Sequence, residues 1–384
     1  MTHLERAESI VAGYEAAVRE ELPPEALLID AHTHLGDDID GMQGRPEQLT
    51  EILDRHGFTQ ANVFCLDEPD RGPAFSAAND RTLAYAASSE GRFIPFVRLD
   101  LADRPLEEAR RCLELGARGI KLHPRAQRFS LDDERLAPIF MLAVDYGVPI
   151  LIHGGRGLPP IAEHLEQLVQ RSDGVRLIIA HAGIADMAGL AGRFGGVPGV
   201  YFDTSVWSAV DLLDLYRQVA PEQILYASDY PYGRQPNSLL ATLRTARLVG
   251  FDERQLRLLL GESARRIADN EPPEALSSPR GSGALAQPLT FARIHHYISM
   301  AVPLLWLRQS DGVGALGLAL NASLERNGYE EESSRVQELL STADQLWSEG
   351  ANVAEDEDRV RAYRTAIQLV HLADLITVTT TAKP

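Results

Sequence analysis

A chain of 384 residues can bury a large core, and a formal charge of −18 argues against nucleic acid or an anionic membrane as partner, because phosphates require a positive surface. Apolar residues at 45% and charged residues at 24% are ordinary for a globular protein, while two cysteines, Cys65 and Cys112, are too few for a disulfide scaffold or a thiolate zinc site. Lysine is nearly absent: among 37 basic side chains only Lys121 and Lys383 are lysines.

The chain opens with "MTHLERAESIVAGYEAAVREEL", whose pattern predicts an amphipathic helix within residues 1–25 and lacks the basic start and unbroken apolar core of a secretory signal. Residues 26–269 then alternate short apolar runs with helical periodicity. The runs are "ALLIDAHTH", "QANVFCL", "RFIPFVRLD", "RGIKLH", "VPILIH", "VRLIIAH", "GVYFDTS" and "QILYASD". Segments such as "PEQLTEILDRHG" and "PLEEARRCLELG" separate them, opening on proline or an acid and closing on glycine. Eight such units predict an α/β fold, a (β/α)8 TIM barrel, rather than a doubly wound sheet, since "HTHLGDD" after the first strand is no glycine-rich phosphate loop. Residues 270–288, rich in Pro, Gly and Ser, read as a linker, and 289–384 as an added C-terminal all-helical domain. The longest apolar run there, "YISMAVPLLWL" at 297–307, is too short to span a bilayer and contains Pro303. A cytoplasmic protein without a membrane partner is therefore expected. The apolar faces of "TFARIHHYISMAVPLLWLRQ" and "RVRAYRTAIQLVHLADLI" point to a homo-oligomer formed through the C-terminal helices.

In a barrel the C-terminal ends of the strands carry the chemistry. Here the runs end in His32 and His34, in Lys121 and His123, in His153, in His181 and in Asp229, so five of the eleven histidines fall at these few positions. His32 and His34 stand on one face of their strand, about 6.6 Å apart at roughly 3.3 Å per residue. Two imidazoles so spaced can converge on one ion, with His153 and Asp229 as further donors, leaving a position for water or substrate. His3, His56, His164, His295, His296 and His371 show no such placement.

Taken together, "DAHTH", "GIKLHP", "VPILIHGG", "IIAHAG" and "YASDYP" resemble the amidohydrolase superfamily, and within it the branch of aminocarboxymuconate-semialdehyde decarboxylase, over roughly residues 27–268. That resemblance implies that His32, His34, His153 and Asp229 bind one divalent metal, most often zinc, with Mn, Fe or Co as alternatives. It further implies that His181 is an unliganded catalytic histidine. Branches with two metals use a carboxylated lysine as the bridge, which would promote Lys121 and His181 to ligands.

The reaction expected first is hydrolysis of an amide, ester or lactone of a small organic molecule. Water activated by the metal would attack, Asp229 would carry its proton, and His181 would stabilise the developing oxyanion. Arg156, after His153, is the first candidate to hold a substrate carboxylate, Arg98, Arg125 and Arg128 come after it, and Lys121 and His123 are further substrate-binding candidates. His123 could equally bond to the loops. The alternative reaction is non-oxidative decarboxylation of a small carboxylic acid at the same metal. A third reading, a barrel serving only as scaffold, conflicts with a full set of ligand positions.

Overall fold

A computed structural model describes residues 2–206, 208–281, 285–350 and 356–382. Strand β1 (Ile29–Asp37) is met by the antiparallel pair of residues β2 (Gln43–Gly44). There follow β3 (Gln60–Cys65), β4 (Phe93–Arg98), β5 (Gly119–Leu122), β6 (Ile150–Ile152), β7 (Leu177–Ile179), β8 (Val200–Asp203) and β9 (Ile224–Leu225). From β1 through β3 to β9 each strand pairs in parallel with the next. Past β9 the chain returns to β1. Ala31 N donates to Tyr226 O at 3.0 Å, Asp229 N to His32 O at 3.0 Å and His34 N to Tyr230 O at 2.7 Å. Those bonds close the sheet into the (β/α)8 barrel that the periodicity predicts.

Local chemistry explains the alternation. Proline opens the helices Pro46–His56 and Pro105–Glu114, where its missing N–H costs nothing. Gly147 ends Leu136–Tyr146 with a left-handed φ of 64° that turns the chain into β6. Inside the barrel Ile29, Phe64, Phe96, Leu151, Ile178, Tyr201 and Leu225 form one buried cluster. Each large side chain there stabilises the fold by about 1.5–3 kcal/mol. At the C-terminal strand ends the buried side chains become polar: His32, Lys121 and Asp203 are all fully enclosed.

The chain divides into two compact units, and one of them spans residues 22–206 and 211–282. The first part of the segment read as a linker belongs to this unit. Ser277 donates from N and Oγ to the buried Glu222 carboxylate at 2.9 and 3.1 Å, and Arg280 N donates to Tyr216 O at 3.0 Å. Residues 282–284 lie outside the described residues.

The other unit contains helices from both chain ends. His3–Glu21 packs there with Leu289–Trp306, Asp311–Ala322, Glu330–Gly350 and Asp356–Thr379. The N-terminal helix buries Ala7, Val11 and Val18, and its ion pairs run from Arg6 to Glu338 at 3.6 Å and from Glu8 to Arg361 Nε at 2.7 Å. No helix among the described residues is long and apolar enough to cross a membrane.

The barrel closure has a sharp steric test. A Cβ on Gly261 would lie 2.4 Å from Leu27 O, a backbone atom just ahead of β1. Gly261→Ala is expected to lower stability by about 1–3 kcal/mol, read from the urea midpoint. An unshifted midpoint would mean that this approach is not made.

Candidate metal centre

The period of two along β1 turns His32 and His34 to the same side. Asp229 joins them because its own backbone N–H bonds to His32 O at 3.0 Å, which brings the chain beyond β9 against β1. Asp229 adopts a left-handed φ of 61°, a conformation that Asp tolerates better than most residues. Three donor atoms result. His32 Nε2 and His34 Nε2 are 3.2 Å apart, and Asp229 Oδ1 lies 3.4 and 3.3 Å from them.

These three separations match the edges of a tetrahedron, about 3.3 Å long, around an ion bound at about 2.0–2.1 Å. Donor chemistry agrees with the geometry. His32 gives its Nδ1 proton to Asp203 Oδ2 at 2.8 Å, so its Nε2 presents a lone pair to the triangle. Burial pushes the basicity of both His32 and His34 well down, keeping them neutral as ligands must be. Two lone pairs and a carboxylate oxygen this close would accept a cation among them, and Lys121 Nζ already lies 3.2 Å from His32 Nε2. His34 Nδ1 is buried without a hydrogen-bond partner among the described residues. The residues present therefore fit a divalent metal.

Asp203, at the end of β8, fixes this arrangement. Its Oδ2 takes the His32 proton, and its Oδ1 accepts from His181 N at 2.8 Å, Ser205 N at 3.0 Å and the Ser205 hydroxyl. Metal-binding histidines commonly rely on such a carboxylate to set their tautomer. Asp30, on β1, serves the backbone instead: its Oδ1 accepts from Ser228 N at 2.9 Å and His32 N at 3.2 Å. Burial raises its carboxyl to about 7.

The remaining expected residues surround the triangle. Lys121 is fully buried with Nζ 3.2 Å from His32 Nε2 and 4.6 Å over the Phe64 ring. Burial lowers its ammonium to about 7, against the pull of Asp203 and Asp229. His181 turns back with a left-handed φ of 58° and donates from Nδ1 to Ser205 O at 2.9 Å. Its Nε2 faces His153 Nδ1 at 3.0 Å. His153, expected as a fourth ligand, is outside the donor set gathered by His32, His34 and Asp229, whose ligand atoms lie within 4.8 Å of one another. It is instead paired with His181 and stacked on His123, with centroids 3.8 Å apart.

His123 caps a short turn through its Nδ1, which accepts from Ala126 N at 3.3 Å. Arg156 is exposed in the loop after β6 and makes no ion pair among the described residues. One feature escaped the expectations, the orienting role of Asp203, signalled only by a carboxylate at a strand end. Arg98, the last residue of β4 and a further candidate for a substrate carboxylate, is 2% exposed.

Residues 29–267 match the family model for amidohydrolases. None of the curated proteins matches the chain. Among solved structures, apo IDCase from Metarhizium anisopliae is similar, with 17% identity, 65% of this chain and 99% of that chain covered and a TM-score of 0.50. A probable 2-pyrone-4,6-dicarboxylic acid hydrolase from Acinetobacter baumannii with citric acid bound is 13% identical, with 63% and 99% covered and a TM-score of 0.49. A 2,6-dihydroxybenzoate decarboxylase from Rhizobium is 16% identical, with 64% and 98% covered and a TM-score of 0.48. At such identities the likeness is one of fold.

Asp203→Asn keeps the shape of the side chain but removes the charge that holds the His32 proton. It is expected to weaken metal binding about 10- to 100-fold, measured by competition with a chelator. Equal affinity would mean that His32 is oriented without Asp203.

Proposed function

This chain is an enzyme that belongs to the amidohydrolase family, and on that premise we propose that it is a metal-dependent, non-oxidative decarboxylase of a small carboxylic acid. The observation that carries the proposal is the single triangle of donors, His32, His34 and Asp229. His32 Nε2, His34 Nε2 and Asp229 Oδ1 would hold a divalent ion within reach of two oxygens of a substrate, a carboxylate and its neighbour. Zinc suits this donor set, and Mn, Fe or Co would also be accepted. When bound, the ion would supply Lewis-acid polarisation of those oxygens.

The protein's own groups do the rest. Asp203 and the closure of β1 hold the triangle in place before substrate arrives. Loss of CO2 leaves an electron pair on the substrate carbon, which must receive a proton. His153 and His181, hydrogen-bonded at 3.0 Å with the His181 ring centroid 5.0 Å from that of His32, are the pair placed to hold and deliver it.

Hydrolysis is the second reading, favoured by one detail. Asp229 contacts both histidines through Oδ1, which leaves Oδ2 to take a proton from an attacking water.

Metal-loaded protein should release CO2 from at least one member of a panel of aromatic and enoate acids. His181→Asn should lower that rate by about 10²- to 10⁴-fold while keeping one metal per chain, and a His32→Ala, His34→Ala double variant should lose both. Cleavage of esters, amides or lactones without any CO2 release would replace decarboxylation by hydrolysis. Two metals per chain would make His153 and His181, with Lys121, a second metal seat rather than a proton-handling pair.

A further inference from the structure

Arg98 is buried at the C-terminal end of β4, in register with Lys121 on the adjoining β5. Its Nη1 donates to Cys65 O at 3.2 Å, and its guanidinium carbon stands 5.2 Å from the centroid of the Phe75 ring. The other edge, Nε and Nη2, is buried with no hydrogen-bond partner among the described residues. That edge is the one whose two parallel N–H groups match a carboxylate. The nearby acid Asp67 lies 3.1 Å from Arg71 and also feels the charge of Arg98, but it makes no hydrogen bond to the Nε–Nη2 edge.

A merely structural role leaves this edge unexplained. Burying two unpaired N–H groups of a charged side chain is costly, and an apolar residue of similar length would fill the space without that cost. The backbone, meanwhile, is held with care. Asn79 Oδ1 accepts from Arg98 N at 3.0 Å, and Asn79 Nδ2 donates to Arg98 O at 2.9 Å and to Glu108 Oε1 at 2.9 Å. Glu108 is itself clamped by Arg111 at 2.7 Å. A rigidly mounted guanidinium with its bidentate edge unpaired is the form of a preorganised anion seat. Its charge also reaches the candidate centre, where it lowers the basicity of His34, Lys121 and His123.

We infer that the Nε–Nη2 edge of Arg98 binds a carboxylate of the substrate other than the one at the metal, so that the substrate class is a dicarboxylic acid. The inference rests on the metal-dependent reading above, which supplies the seat for the first carboxylate. Both edge atoms are covered, so a bound carboxylate must displace part of that cover.

The test reads binding rather than turnover, on protein loaded with one equivalent of Zn2+ and titrated calorimetrically. Malonate, succinate and glutarate are compared with acetate, propionate and butyrate. At least one diacid is expected to bind tenfold or more tightly than its monoacid partner. That gap should close in Arg98→Gln and Arg98→Lys, the latter keeping the charge but losing the fork, while monoacid affinity stays the same. Thermal melts of both variants establish that they are folded. Absence of the gap in the wild-type protein, or its persistence in either folded variant, overturns the assignment. A gap that depends on Arg98 in a protein that never releases CO2 would sink the decarboxylase reading and leave this one standing.

Discussion

One buried carboxylate ties the centre together. Asp203 receives four donors, His32 Nδ1, His181 N, Ser205 N and Ser205 Oγ, from three separate strand ends. An ionised carboxylate enclosed without partners would cost several kcal/mol. Hydrogen bonds to a charged acceptor contribute about 1.5–3 kcal/mol each, so four of them offset that cost while three would do so less well. The same bonds choose the His32 tautomer, and the tautomer decides whether Nε2 presents a lone pair or a proton to the triangle. Metal binding, the angle of β1 and the turn after β7 thus share a single dependence.

At the centre, strained backbone sits where this network can hold it. His181 and Asp229 both have left-handed backbone, a state that costs a non-glycine residue on the order of 1–3 kcal/mol. Each is held by a bond made by its own N–H, to Asp203 for His181 and to His32 O for Asp229. The positive φ at Asp229 returns the chain to β1, so barrel closure and ligand placement are one event. An open sheet with the same strands would leave Asp229 away from both histidines.

Much of this was legible from residue order. Eight apolar runs with alternating helices define the barrel, and a period of two puts His32 and His34 on one face whatever the loops do. Ring rotation is a different matter. His153 stands at its expected strand end, yet whether its Nδ1 faces an ion or His181 is a torsional choice that the residue type does not encode. Asp203 reads in sequence as one more carboxylate at a mouth, because its partner His32 is 171 positions away. The N-terminal helix displays an apolar face, but nothing in it names Glu338 or Arg361 as the residues it meets. Arg156 and Arg98 are equivalent as letters, and only burial separates an exposed loop side chain from one held by Cys65 and Asn79.

Charge gives the last connection. A net charge of −18 repels an anionic substrate at long range, yet ionic strength near 0.15 M screens that field beyond about 8 Å. What decides capture is therefore the sign of the groups within a few ångströms, in surroundings where each counts for more than in water. Lys121 and Arg98 bring two basic side chains to neighbouring strand ends, in a chain that otherwise has a single lysine. Lysine at 121 has a reason of its own. A compact amine sits 3.2 Å from His32 Nε2 and 4.6 Å over the Phe64 ring, a point contact that needs no planar fork. Arginine at 98 has the complementary reason, since only a fork can bond Cys65 with one nitrogen and offer a complete edge with the other two. The two basic residues thus differ because their surroundings differ, one pressed against His32 and the Phe64 ring and the other bonded to Cys65 with an unpaired edge left over.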